Sequence, residues 1–352
     1  MTRPLETDVA IVGAGPAGLF AVFELGMLKL SAVLIDALAE PGGQCAALYP
    51  EKPIYDIPAH PVIDAGALIE ALERQIAPFP APRLPGQRVT ALCGAAGAFR
   101  LQTDQGAEVH AKAVILAAGA GAFGPNRPPL AGLAAYEASG AVRYFVRTRE
   151  SLRGRRVVIA GGGDSAVDWA LALKDLAQVA VVHRRPRFRA APENAALLEA
   201  AAARGEIELV IPYQLHALHG TDGTLAEVEV ATLGGTTQGD VTLGGATRRL
   251  PADVLLAFFG LAAELGPIAA WGVALDQHRV RIDPATCETN VPGVFAIGDI
   301  AAYPGKLKLI LQGFSEAAVA AHAIWHVVHP GEALHFAYST TQGLPGGQAG
   351  RV

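Results

Sequence analysis

The sequence predicts an α/β protein built from two nested domains, and three observations predict it. A glycine fingerprint between an apolar strand and a helix occurs twice, at Gly13–Gly18 and again at Gly161–Ala166. Apolar strands alternate with helices along the chain, which implies right-handed βαβ units and parallel sheets. A third block, Thr289 to Ala323, has a strand and a helix but no fingerprint of its own, so it is expected to complete the first domain around the second.

Composition agrees. The 352 residues are too many for one compact core. They are 51% hydrophobic and 17% charged with 40 glycines, which suits a well-buried fold with many tight turns and excludes a disordered chain. The net charge of −5 gives no footprint for nucleic acid or an anionic membrane. The polar start TRPLET has no signal-peptide pattern, and the longest apolar stretch, Val254 to Ala263, is too short to span a bilayer. A cytoplasmic protein is expected. Cys45, Cys93 and Cys287 lie far apart with no CxxC pair, so neither a zinc site nor a disulfide framework is supported.

In chain order, the first block reads strand (DVAIVG), helix (Pro16 to Leu28), strand (AVLID), a long loop containing GGQ, and a helix around Ala67 to Ala77. It closes on the apolar run VILAAG and the glycine-rich segment GAGAFGPNRPP. The pattern then restarts with strand (RVVIAGGG), helix (Asp164 to Leu176) and strand (VAVVHRR), and the third block carries VFAIGD and a helix. The expected division is 1–122 with 286–341 for the outer domain, 123–285 for the insert and 342–352 as a tail.

Each residue of the first fingerprint has a physical task. Gly13 makes the tight turn, Gly15 lets the backbone approach a pyrophosphate, Pro16 and Ala17 open the helix, and Gly18 lets helix and strand pack closely. Phosphates favour the helix N-terminus, where unpaired N–H groups and the dipole attract negative charge. Asp36 ends the second strand 23 residues after Gly13, placed to accept hydrogen bonds from an adenosine ribose.

The second fingerprint, Gly161, Gly163, Asp164, Ser165 and Ala166, repeats the arrangement with alanine as the third small residue. No acid ends the strand that follows. His183, Arg184, Arg185 and Arg189 stand there instead. A carboxylate would repel a 2′-phosphate, whereas guanidinium groups pair with it bidentately, so this site is expected to prefer NADPH to NADH. For His183 both packing and a direct phosphate contact remain open.

The order and spelling of these motifs resemble the ferredoxin–NADP reductases of the thioredoxin-reductase-like type, from about Asp8 to Thr341. The strings are GGQ-x-x-x-LYPEKPIYDIP, GGGDSAVDWAL, HRRPRFRA, TNVPGVFAIGD and YPGKLKLILQGFSEAA. The resemblance implies two nested Rossmann-like domains, an FAD domain in two segments with an NADPH domain inserted, and a homodimer. It implies that Gly43 and Gln44 approach the flavin, that Tyr49 stacks on one ring face, and that Val89 and Phe123 line the adenine and flavin regions. Asp299 is implied to bond the ribityl or pyrophosphate part. Tyr338 would cover the other ring face, followed by Thr340; tyrosine there departs from the histidine or phenylalanine of the family. Motion is expected at Gly119–Gly124 and Pro284–Thr289, so that nicotinamide can reach the ring.

Thioredoxin reductases carry a CxxC just before the second fingerprint, and ASGAVRYFVRTRESLRG has no cysteine. Glutathione-reductase-like enzymes place a second cysteine five residues after one near GG, where Cys45 is followed by Pro50. Without two thiols there is no disulfide to receive electrons. The implied activity is electron transfer between NADPH and ferredoxin or flavodoxin through FAD, with no catalytic acid, base or nucleophile named. Two alternatives stand beside it: an NADPH diaphorase without a dedicated protein partner, and a non-enzymatic sensor of the NADPH state. Lys306 and Lys308 in YPGKLKLI are candidates for docking an acidic carrier, with a plain solvated loop as the other reading.

Overall fold

The computed structural model describes residues 3–119, 121–232, 245–335 and 343–345, with the side chains of 122–125 and 261–263 outside that description. The chain forms two compact units, Met1–Phe123 with Ala263–Val352, and Gly124–Ala262. The outward crossing falls within one residue of the expected boundary. The return comes earlier than the expected 285–286, and packing gives the reason. Leu265, Ile268, Val273 and Val280 are buried in one cluster with Val89, Phe99 and Val294 of the first unit. Pro284–Thr289 is therefore a turn inside that unit and not a crossing. The N–H of Cys287 donates to the Asp283 carbonyl at 2.7 Å, the N–H of Ala285 donates to Asp283 Oδ1 at 2.9 Å, and Cys287 is buried.

The first unit is organised by the strand Leu5–Val12, which pairs in parallel with Ala32–Asp36 on one side and Glu108–Leu116 on the other. Arg83–Pro85 extends the sheet beyond Ala32–Asp36. Glu108–Leu116 is shared on its far side: Glu108 to Ala111 pair antiparallel with Ala98–Thr103, whereas Val114 to Leu116 pair in parallel with Val294–Ala296. The third block thus completes the first sheet, as its missing fingerprint implied.

Buried on both faces, these strands read as nearly continuous apolar runs. Val9, Ile11, Leu34 and Ile115 pack on the side of the helices Pro16–Met27, Ala65–Ile76 and Ile310–Val328. Their neighbours Ala10, Val33, Ile35 and Leu116 face the opposite cluster. Pro16 opens its helix at the first turn, where a missing N–H costs nothing.

The second unit has a five-stranded parallel sheet in the order Val142–Arg143, Val254–Ala257, Arg156–Ala160, Gln178–Val182, Ile207–Val210. The helix Asp164–Leu173 leads from the central strand to Gln178–Val182, and Pro192–Ala203 leads on to Ile207–Val210. A separate antiparallel sheet of Gln214–Thr221, Thr224–Ala231 and Thr247–Pro251 follows. Among the described residues no helix is long and apolar enough to cross a membrane.

Candidate functional site

In the first unit the strand–turn–helix opens a cavity of about 310 Å³ at the carboxyl ends of the parallel strands. Ten of the expected residues line it: Gly13, Gly15, Pro16, Ala17, Asp36, Gly43, Gln44, Tyr49, Val89 and Asp299. Gly18 does not. A Cβ there would stand 1.9 Å from the Gly13 carbonyl oxygen, so Gly18 serves helix–strand packing. Gly13 has φ +115°, and a Cβ on it would meet the Ala117 carbonyl at 2.4 Å. Gly15 is the opposite case, for a Cβ on it meets no atom within 4 Å. The Phe123 side chain, Tyr338 and Thr340 lie outside the described residues.

This geometry fits the adenosine and pyrophosphate of a dinucleotide. The helix Pro16–Met27 has no side-chain cap at Gly15, which leaves first-turn N–H groups free for an anion. Asp36 stands at the end of the second strand with both oxygens held: Oδ2 accepts from Ala14 N–H at 2.5 Å and Oδ1 from Leu38 N–H at 2.7 Å. Burial raises its pKa, and these two backbone donors work against the rise.

Burial pushes the Cys45 thiol up to about 11, with a Tyr49 hydrogen bond opposing and the Asp299 charge adding to the rise. Cys45 is therefore a neutral thiol at physiological pH, without the depressed pKa of a redox-active cysteine. The Tyr49 hydroxyl is likewise raised, first by burial and then by Cys45 and Asp299.

Behind the Gly298–Asp299 turn lies a polar cluster that sequence reasoning missed. The side chains of Lys306 and Glu316 are 3% and 4% exposed and form an ion pair. Glu316 Oε2 also accepts from Gly298 N–H at 2.7 Å, and Oε1 accepts from the Tyr303 hydroxyl at 2.7 Å. Gln312 donates to that same hydroxyl at 2.7 Å. Lys306 is thus removed from any docking surface, because its ammonium is spent inside the unit; Lys308 stays exposed. A signal was present in the helix: Gly313, Glu316, Ala317, Ala320, Ala321 and Ile324 fall at helical spacing on one buried face, with a lone acid among small residues.

The second unit has its own cleft of about 670 Å³. Gly161, Gly163, Asp164, Ser165, Ala166, His183, Arg184 and Arg189 line it, and Arg185 does not. The helix Asp164–Leu173 is uncapped at Gly163, as in the first unit. His183 is only 8% exposed and stacks on Phe188 at 5.2 Å between ring centroids. Burial lowers its pKa, the Arg187 carbonyl opposes, and the charges of Arg184, Arg189 and Arg185 lower it further. Its ring packs against Phe188 beneath the arginine loop, and burial favours its neutral form. Sequence reasoning also missed Tyr213, Gln214 and His216, which reach the cleft from beyond the fifth strand.

With both clefts defined, the class is an oxidoreductase fold carrying two dinucleotide sites. The pyridine nucleotide-disulphide oxidoreductase model matches residues 7–323. A ferredoxin–NADP reductase of Acidiphilium cryptum is 71% identical over 347 residues, covering 98% of this chain and 99% of that one. A ferredoxin–NADP reductase of Rhodospirillum rubrum is 58% identical over 350 residues, 98% of each chain. Among solved structures, a thioredoxin reductase of T. acidophilum superposes with a TM-score of 0.74 at 22% identity, covering 91% of this chain and 98% of its own, which speaks for the fold alone. The chain therefore belongs to the pyridine nucleotide-disulphide oxidoreductase family and, within it, to the ferredoxin–NADP reductases of the thioredoxin-reductase-like type.

Proposed function

We propose that the chain is a flavoenzyme that moves electrons between NADPH and ferredoxin, or flavodoxin, through FAD. The observation that carries this reading is the contrast between its two fingerprints. Each leads into an uncapped helix N-terminus, but the strand that follows ends in Asp36 in one unit and runs into a loop carrying Arg184 and Arg189 in the other. The carboxylate suits a ribose with free hydroxyls, and the guanidinium groups of Arg184 and Arg189 suit a ribose bearing a 2′-phosphate.

Bound FAD supplies a ring able to take a hydride and release electrons one at a time. The protein's part is to bind, orient and exclude water. Gly13, Gly15 and the first turn of Pro16–Met27 hold the pyrophosphate, Asp36 the adenosine ribose, and Gly43, Gln44, Tyr49 and Asp299 the far half of the cofactor. Val89 closes the adenine side. Thr340, Tyr338 and Phe123 are assigned to the flavin region by the family resemblance alone, and the homodimer rests on that resemblance too, whereas the cytoplasmic setting is an expectation from the polar start and the short apolar stretches of the sequence. No side chain is needed as acid, base or nucleophile, and the neutral Cys45 thiol agrees with that.

Steady-state reduction of cytochrome c by NADPH, with and without added ferredoxin, tests the reading. Ferredoxin should raise the rate severalfold, and denaturation of the yellow protein should release FAD and not FMN. A rate indifferent to ferredoxin would leave a diaphorase. Negligible turnover with every acceptor would leave a sensor.

A further inference from the structure

The arginine loop between Gln178–Val182 and Pro192–Ala203 has no regular secondary structure, yet it is fastened to the fingerprint at several points. The N–H of Arg189 donates to the Gly162 carbonyl at 2.7 Å. His183 Nε2 lies 3.2 Å from the Arg187 carbonyl, and the ring presses on Gly162, where a Cβ would stand 2.1 Å from His183 Cε1. At the far end the N–H of Ala191 donates to Asp164 Oδ1 at 2.8 Å. Ala191 immediately precedes the helix Pro192–Ala203, and Asn194 of that helix donates to Asp168 Oδ1 at 2.9 Å.

Asp164 is the first residue of its helix and lines the cleft. A carboxylate suits a helix N-terminus but opposes a second anion there. A residue kept to grip pyrophosphate would be a donor, and an aspartate is not. Its carboxylate is directed instead at the backbone that ends the arginine loop. We propose that Asp164 is a positioning residue for nucleotide choice: it latches Ala191, holds Arg184 and Arg189 at the cleft, and so sets the preference for a 2′-phosphorylated nucleotide without touching it. This rests on the assignment of the second cleft to NADPH.

The latch is a hydrogen bond to an oxygen, so an amide oxygen can replace it and a methyl group cannot. Calorimetry on the full-length, FAD-loaded protein with NADP+, 2′-AMP and NAD+ separates the possibilities, because 2′-AMP carries the 2′-phosphate and no pyrophosphate. In Asp164→Ala the dissociation constants of NADP+ and 2′-AMP should both rise about tenfold while that of NAD+ holds. Asp164→Asn should stay within about threefold of the parent, at most about half, on the free-energy scale, of the loss expected when the acceptor is removed. Tighter NADP+ in both variants, with 2′-AMP unmoved, would overturn the latch and make Asp164 a charge facing the pyrophosphate. Equal weakening of NADP+ and NAD+ would overturn it in favour of a general structural role. A parent protein with no preference for NADP+ over NAD+ would fail the NADPH assignment itself, before any variant is compared.

Discussion

Replacing Lys306 with methionine should cost roughly 3–5 kcal/mol of stability, the usual result of stranding one partner of a buried ion pair. Both side chains are almost wholly enclosed, so solvent screening gives no relief. Glu316 would keep the Gly298 N–H and the Tyr303 hydroxyl but lose the cation that neutralises it. Because the same carboxylate fixes Gly298, next to Asp299 in the cavity wall, FAD retention should fall along with stability. Urea unfolding with and without excess FAD measures both effects. The double variant Lys306→Met, Glu316→Gln should recover more than half of the loss, since the amide oxygen can still accept from the Gly298 N–H while the amide NH2 donates to the Tyr303 hydroxyl, with no buried charge left. If the single variant unfolds at the parent's urea concentration, the pair is not the keystone of this turn.

The second large effect concerns nucleotide choice. Replacing Arg184 and Arg189 together with alanine should raise KM for NADPH by at least about a hundredfold, taking about 1.5–3 kcal/mol for each charge-assisted contact. The value for NADH should barely move. Arg185→Ala should have a much smaller effect, because Arg185 does not line the cleft although it is adjacent in sequence. Steady-state kinetics with a small acceptor such as ferricyanide keeps ferredoxin docking out of the comparison. Equal losses with both nucleotides would mean that the arginines hold the loop's shape.

Much of this was legible in the sequence because it is local. A fingerprint needs only a strand, a turn and a helix in succession, and those follow from apolar runs and glycines within about 25 residues. Both fingerprints, Asp36 and the arginine loop fall in that class. What escaped was set by contacts distant in sequence or by packing among short elements. The return crossing was misplaced because the stretch from Leu265 to Val280 is built of pieces of two to five residues with no clear period, and only its burial against Val89 and Phe99 reveals its unit. Lys306 read as a solvated loop cation because YPGKLKLI is locally indistinguishable from a surface turn. Its partner Glu316 becomes visible only when the helix is read as having one buried face. Arg185 was grouped with Arg184 because adjacency in sequence does not say which side chain faces a cleft.

Two of the three cysteines are buried, and burial holds Cys45 and Cys287 as neutral thiols, raised to about 11 and about 12. Electrons should pass from NADPH to the one-electron carrier with no thiol involved. The most direct test is an anaerobic titration of the FAD-loaded variant with Cys45, Cys93 and Cys287 all changed to serine, in the presence of excess oxidised ferredoxin. Each equivalent of NADPH should yield two equivalents of reduced ferredoxin, at a rate within a few-fold of the parent. NADPH consumed without reduced ferredoxin appearing, or ferredoxin reduction lost in the variant while FAD stays bound, would contradict the account.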